Sequence, residues 1–164
     1  MPELQRLRLD HAAALLAFER ANRAYFAASI PDRGDAYFAD FAARHSALLA
    51  EQDAGLCHFH LLVDTDGQVL GRVNLVDVAD GAAELGYRIA RAAAGRGLAT
   101  AGVTRVCELA AEEYGLTRLR AVTTLDNAGS RAVLARTGFT PGEQIELDGR
   151  PGLAYAKDLR ARTA

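Results

Sequence analysis

Ala94-Gly95-Arg96-Gly97-Leu98-Ala99-Thr100 joins an apolar strand-like run, Leu85 to Ile89, to a helix-like pattern that starts near Leu98. A strand, a turn with two glycines and a helix together make an anion cradle. Glycine lets the backbone approach a bulky anion without Cβ interference. The first amides of a helix have no partner inside it, so they point at the ligand, and the positive end of the helix dipole adds to the attraction. A Gly-rich turn alone does not say which phosphate ligand it holds, so the flanks must.

Upstream, Leu56 to Val63 and Val69 to Val76 read as strands joined by Asp64-Thr65-Asp66-Gly67, whose Asp-Gly pair is a hairpin signal. Glu84 to Ala90 follows the short loop Ala79-Asp80-Gly81, so an antiparallel meander precedes the cradle. Downstream, Ala99, Val103, Val106, Cys107, Ala110 and Tyr114 recur at steps of three and four and mark one buried helix face, which Gly115 ends. Arg118 to Leu125 reads as a strand, Asp126-Asn127 as a cap and Ala128 to Arg136 as a short helix that Gly138-Phe139 terminates. Two closing strands, Phe139 to Leu147 and Leu153 to Leu159, flank a turn over Asp148-Gly149-Arg150-Pro151-Gly152.

At the other end, Leu4 to Leu9 reads as a first strand, and Asp10 caps a helix that runs to about Arg23. Ile30-Pro31-Asp32-Arg33-Gly34-Asp35 breaks it before a second amphipathic helix, Ala36 to Gln52. The order β-α-α-β-β-β-α-β-α-β-β predicts an α/β domain with a mixed sheet. That sheet is antiparallel first and parallel only where a helix crosses over.

With 164 residues, 50% hydrophobic and 24% charged, the chain is expected to form one domain over residues 1–164 with a core of its own. A net charge of -2 argues against a nucleic-acid partner or a membrane surface. The start Met1-Pro2-Glu3-Leu4-Gln5-Arg6 does not read as a signal peptide, so the cytoplasm is the expected compartment. Cys57 and Cys107 lack zinc or redox spacing and read as buried free thiols, on a strand and a helix. His58 and His60 would share one strand face, but no third ligand accompanies them. They read as an edge-strand or partly buried pair, and no metal is expected.

A nucleoside-triphosphate loop needs a lysine after its second glycine, and Lys157 is the chain's only lysine. A dinucleotide fingerprint could use Gly95 and Gly97, with Asp126 as the ribose acid, but Thr100 occupies its third glycine position. That fold also begins with the motif and needs several βα units after it, whereas one short helix and a hairpin remain here.

Glu84-Leu85-Gly86-Tyr87-Arg88-Ile89 followed by Gly95-Arg96-Gly97-Leu98-Ala99-Thr100 resembles the central acetyl-CoA motif of the GNAT family of N-acetyltransferases. Asp126-Asn127-Ala128-Gly129-Ser130-Arg131 and Gly138-Phe139 are similar to that family's asparagine-headed helix and its ending. Phe18-Glu19-Arg20-Ala21-Asn22-Arg23 looks most like the branch that acts on N-termini of ribosomal proteins. The resemblance covers almost the whole chain in element order. It implies a GNAT-like fold, acetyl-CoA as co-substrate, and contacts to it from Ile89, Ala90, Arg91, Gly95, Arg96, Gly97, Leu98, Ala99, Thr100 and Asn127.

Two positions depart from the family. Ala94 stands where the signature usually opens with Gln or Arg, and Leu134 where many members carry a proton-donating tyrosine in the last helix. In the ribosomal-protein branch a serine earlier in that helix is thought to take this role, which the resemblance gives to Ser130.

An α-amine with a pKa near 7.7–8.0 is far easier to deprotonate than a lysine near 10.4, so a modest base acting through water suffices for an N-terminal acceptor. Glu84 is the candidate base; a charged strand end facing water is the alternative. Asn127 would bind the cofactor, cap the helix, or do both. Tyr87 alternates with Leu85 and Ile89, as a core residue would. The acceptor is expected to be a protein N-terminus, with a small-molecule amine as the runner-up and a non-catalytic acetyl-CoA-binding module as the rival. No residue reads as an acyl-accepting nucleophile, which favours direct transfer.

Overall fold

A computed structural model describes residues 2–159. One seven-stranded mixed sheet runs through it, in the order β1-β2-β3-β4-β5-β7-β6. The strands are β1 (Glu3–Arg6), β2 (His58–Val63), β3 (Val69–Ala79), β4 (Ala82–Ile89), β5 (Arg118–Thr124), β6 (Thr140–Leu147) and β7 (Arg150–Asp158). Every neighbouring pair is antiparallel except β4 with β5. A helix from Leu98 to Glu112, here α5, crosses between those two, as parallel neighbours require.

Both faces of the sheet are covered. Period-two alternation sends Val73, Leu75, Leu85, Leu119, Ala121, Leu153 and Tyr155 into one core with Val103, Val106 and Ala110 of α5. Phe59, Leu61 and Val63 turn to the opposite face. There they meet Leu15, Phe18, Phe26, Tyr37 and Phe41 from the N-terminal helices.

The first predicted helix is α1 (Ala12–Ala21), which ends near the expected bound, and a separate short helix, α2 (Arg23–Ala27), follows it after Asn22. The Asn22 side chain donates to Phe18 O at 2.9 Å and accepts from the Arg91 amide at 3.0 Å, so a tie to the sheet end replaces helix continuation. The second predicted helix divides at Asp40 into α3 (Asp35–Ala39) and α4 (Phe41–Asp53). The short helix near the end is α6 (Ala128–Arg136), with the predicted bounds.

Two turns correct the sequence reading. The first strand stops at Arg6, because Leu9–His11 forms a 3-10 turn. The last hairpin turns on Asp148 (φ 50°) and Gly149 (φ 78°) alone, with Leu147 opposite Arg150. Two successive left-handed residues match the twist of the paired strands. Arg150, Pro151 and Gly152 therefore belong to β7 rather than to the turn.

The cysteines are buried and free, although Cys57 precedes β2 rather than lying on it. Burial pushes the Cys57 thiol up to about 11 and raises that of Cys107. His58 and His60 are more enclosed than expected, since β1 lies outside β2 and Tyr114 closes over both. The His58 ring stacks on Tyr114 at 3.7 Å, and its Nδ1 accepts from Arg6 Nη2 at 3.3 Å. His60 Nδ1 must donate to Val73 O, 3.1 Å away, because a carbonyl can only accept. Its Nε2 then accepts from the Tyr114 hydroxyl at 2.6 Å.

Protonating His60 would reverse that last bond, with Nε2–H donating to the Tyr114 oxygen, and would charge a buried ring beside Arg6. Burial first, then Arg6, pushes both imidazoles down to about 4. Because the folded values lie below the ordinary 6.5, these groups contribute their full stability above pH 6.5 and lose it as pH falls toward 4. Thermal melts should show the midpoint declining through that window. His58→Phe, which keeps a ring against Tyr114 but cannot titrate, should flatten part of the slope. Among the described residues no helix is long and apolar enough to cross a membrane, and no group of three or more His, Cys, Asp or Glu side chains is placed to hold a metal.

Candidate functional site

β4 and β5 pair over only three residues, Ala82, Ala83 and Glu84 against Arg118, Leu119 and Arg120. Beyond that point β4 stays with β3 as far as Ile89 opposite Gly71, and β5 stays with β7 as far as Thr124 opposite Gly152. The two halves of the sheet part in a V, and a cleft of about 970 Å³ opens between them. Parting leaves backbone on the facing edges without a strand partner. An extended ligand can add there as a strand would.

The cradle lies at the mouth of this V. Gly95 (φ 78°) and Gly97 (φ 74°) adopt the left-handed conformation, and nothing lies within 4 Å of where either Cβ would be. Their requirement for glycine is therefore conformational rather than a matter of space inside the protein. Ala101 is the first residue of α5 whose amide reaches a carbonyl, that of Gly97 at 3.0 Å. Among the described residues the amides from Gly95 to Thr100 have no acceptor, so they are available to an anion such as a pyrophosphate.

Gly97→Val puts a β-branched residue in the left-handed region, at a cost of at least about 1–2 kcal/mol, and re-aims these amides. Titration calorimetry should find coenzyme A bound about tenfold more weakly, since 1.4 kcal/mol is a factor of ten.

Ile89, Gly95, Gly97, Leu98, Ala99, Thr100, Asn127 and Ser130 stand in the cleft wall. Four other expected residues stand outside it. The Ala90 amide is taken by Leu70 O at 2.8 Å and the Arg91 amide by Asn22 Oδ1 at 3.0 Å, so neither can donate to a ligand. Arg96 turns back onto Ala92 O at 2.8 Å. Glu84 sits at the last parallel pair, where the V closes, on the same sheet face as Gly86 and Arg88.

Asn127 Oδ1 accepts from the Ser130 amide at 3.1 Å, which makes it the N-cap of α6 while its amide nitrogen remains available to the cleft. The Tyr87 hydroxyl donates to Ser130 Oγ at 2.9 Å. Burial raises the phenol pKa, which keeps it protonated at neutral pH. Tyr87 thus shares the face of Leu85 and Ile89 and packs against the core as its alternation indicated, and it also stands in the cleft wall. Leu134 lies at the base of the cleft and is buried.

The other end of the cleft is walled by the end of the N-terminal helical segment and the loop from Pro31 to Asp35, the region expected to shape an acceptor pocket. The particular side chains that converge there were not legible in the sequence. Tyr25 and Ile30 come from α2 and the chain that follows it, and Arg33, Asn74 and Arg88 complete the wall. Asn74 Oδ1 is buried without a partner among the described residues. Glu19, the residue whose segment suggested a branch, is buried in α1 beneath Arg33, Arg72 and Arg88. A short sequence window cannot show that these arginines converge, because they come from a loop and two strands.

Residues 3–140 match the family described as acetyltransferase (GNAT) domain. Two Bacillus subtilis (strain 168) proteins are similar over part of their length. "Putative ribosomal N-acetyltransferase YdaF" is 37% identical over 76 residues, 45% of this chain and 42% of that protein. "Probable N-acetyltransferase YjcK" is 33% identical over 85 residues, 50% of this chain and 47% of that protein. The chain thus spans about half the length of the curated relatives it matches.

Among solved structures, Mycobacterium smegmatis RimJ in complex with CoA-disulfide superposes with a TM-score of 0.84 at 26% identity, covering 94% of this chain and 80% of that one. The ribosomal-protein-S5-alanine acetyltransferase of Vibrio fischeri has a TM-score of 0.90 at 19% identity, covering 95% and 92%, which establishes a shared fold.

Proposed function

The chain belongs to the GNAT acetyltransferase family, and from that premise we propose that it transfers the acetyl group of acetyl-CoA directly to an amine, foremost the α-amine at the N-terminus of a protein such as a ribosomal protein. The observation that carries this reading is the parting of β4 from β5 beside a row of free amides. A thioester-bearing arm fits the V, and its pyrophosphate fits the cradle.

The co-substrate supplies an activated acyl group. The chain's own residues hold it and move protons. Ile89 and the amides from Gly95 to Thr100 fix the donor, and Asn127 adds a side-chain contact. Glu84 takes a proton from the acceptor through water. Gly86, which has open space where a side chain would be, leaves the route along that sheet face unobstructed. As the amine nitrogen bonds to the acetyl carbon, the carbon–sulfur bond breaks. Ser130 then gives its hydroxyl proton to the departing thiolate and is resupplied from Tyr87, whose phenol regains a proton from the water of the cleft. An N-terminal α-amine suits so modest a base, because its pKa lies within about a unit of neutrality.

The Vibrio fischeri enzyme that shares this fold is a ribosomal-protein-S5-alanine acetyltransferase, which favours a protein acceptor here, and the cytoplasm is the setting that such an acceptor implies. Thiol release from acetyl-CoA, followed with peptides headed by Ala or Ser and with small amines, tests the proposal. Turnover greatest on the peptides is expected. Turnover confined to small amines would move the acceptor to that class, and coenzyme A binding without turnover on any amine would make the chain a binding module.

A further inference from the structure

Three guanidinium groups share one carboxylate beside the cleft, and two of them face it. Arg72 Nη1 lies 2.8 Å from Glu19 Oε1, Arg33 Nε and Nη2 lie 3.0 and 3.2 Å from its two oxygens, and Arg88 Nη1 lies 3.5 Å from Oε2. One negative charge against three positive ones leaves two in excess. Arg72 is sealed inside, whereas the Arg33 and Arg88 side chains keep 25% and 18% of their surface accessible and stand in the cleft wall.

The surrounding charges do not cancel this excess. Arg23 pairs with Asp32, and also with Asp35, whose side chain is 97% exposed, so that its charge is screened by water. Arg91, 6.0 Å from the Tyr25 ring, adds a further positive charge at the same end. Burial, and then Arg33, holds the Arg88 guanidinium down to about 10. Asn74, with its unpartnered buried Oδ1, stands opposite Gly86 in the strand register, and Arg72 stands opposite Arg88. Two residues along a strand separate these rows, about 7 Å.

Resting on the reading that this cleft acetylates amines, we infer that its acceptor end is a subsite for an amine that carries a carboxylate a few ångströms away. Asn74 Oδ1 accepts from the amine N–H, and Arg33 with Arg88 hold the carboxylate by charge-assisted hydrogen bonds. That carboxylate can come from an acidic side chain in the first residues of a peptide or from the main chain of a free amino acid. A polyamine meets like charge and is rejected.

Rates on Ala-Asp-, Ala-Ala- and Ala-Lys-headed peptides, on alanine, alaninamide and spermidine, separate the possibilities. The Ala-Asp peptide should exceed the Ala-Lys peptide about tenfold in kcat/KM, less so at high salt. In Arg33→Gln, where Arg72 and Arg88 still neutralise Glu19, that ratio should fall severalfold. Alanine outpacing both alaninamide and the peptides would identify the free amino acid as the source of the carboxylate, and the reverse order the peptide.

Equal rates on acidic and basic peptides, with alanine no better than alaninamide, would overturn the subsite and leave the acetyltransferase reading intact. Should no amine turn over, that reading fails, and thermal shifts with coenzyme A present decide the subsite separately. Stabilisation by Ala-Asp and not by Ala-Lys supports it, and equal shifts reject it.

Discussion

Ser130→Ala is expected to lower kcat about a hundredfold, the low end of what a positioned proton donor contributes, while the affinity for acetyl-CoA changes little. The helix should survive the change. The cap runs from the Ser130 backbone amide to Asn127 Oδ1 and does not involve the hydroxyl. What disappears is the group that accepts from Tyr87 at 2.9 Å and keeps its own proton free for the cleft. Tyr87→Phe keeps Ser130 and removes only the resupply, so it should cost less, about tenfold.

Pre-steady-state kinetics distinguish these losses from slow product release. The proposed role fails if Ser130→Ala retains wild-type turnover in the chemical step. A larger loss in Tyr87→Phe than in Ser130→Ala would instead make the phenol the donor to the thiolate. Leu134, where the family resemblance looks for a tyrosine, is buried and has no proton to give.

Glu19→Ala should be the most destabilising single substitution discussed, at about 3–5 kcal/mol, because removing one partner of a buried ion pair leaves the others uncompensated. Here the loss strands Arg72, which is 2% exposed, together with Arg33 and Arg88. In a chain of this length such a loss lowers the melting midpoint by on the order of 10 °C. Calorimetry checks it, and a change of one or two degrees would show that the arginines relax into water.

The same carboxylate sets an acid limit. Burial alone would raise its pKa, but Arg72 and Arg33 outweigh burial and hold it below the ordinary carboxylate range. A depressed folded value means that Glu19 contributes fully above the ordinary carboxylate pKa and loses that contribution as pH falls through its own lower one. Acid should therefore act in two stages, first through His58 and His60 as pH falls from 6.5 toward 4, then through Glu19 below that.

The element order and the donor half of the cleft were legible because both depend on local signals. Gly95 and Gly97 mark a turn that only glycine adopts easily, and the spacing of Val103, Val106 and Ala110 sets the helix face that follows. Asn127 marks the start of α6 whether it caps, binds, or does both. Less legible was the break at Asp40, since a helix-compatible pattern continues through that position. Nor was the tie of the Asn22 side chain to the Arg91 amide legible, because that partner is distant in the chain.

Tyr87 shows the limit of periodicity. Alternation correctly set its face against the core but could not say that the sheet would part beside that face and open its edge to a cleft.

The amino-acid sequence by itself determined the order of strands and helices, the anion cradle and hence the donor, since backbone conformation and helix ends respond to residues a few positions apart. The tertiary structure decided the rest. It brought Tyr87 onto Ser130 and removed Ala90 and Arg91 from the list of available donors. It also gathered Arg33, Arg72 and Arg88 around Glu19 beside Asn74. Those relations join residues as many as 69 positions apart. They exist only once seven strands have been placed side by side and two of them have parted.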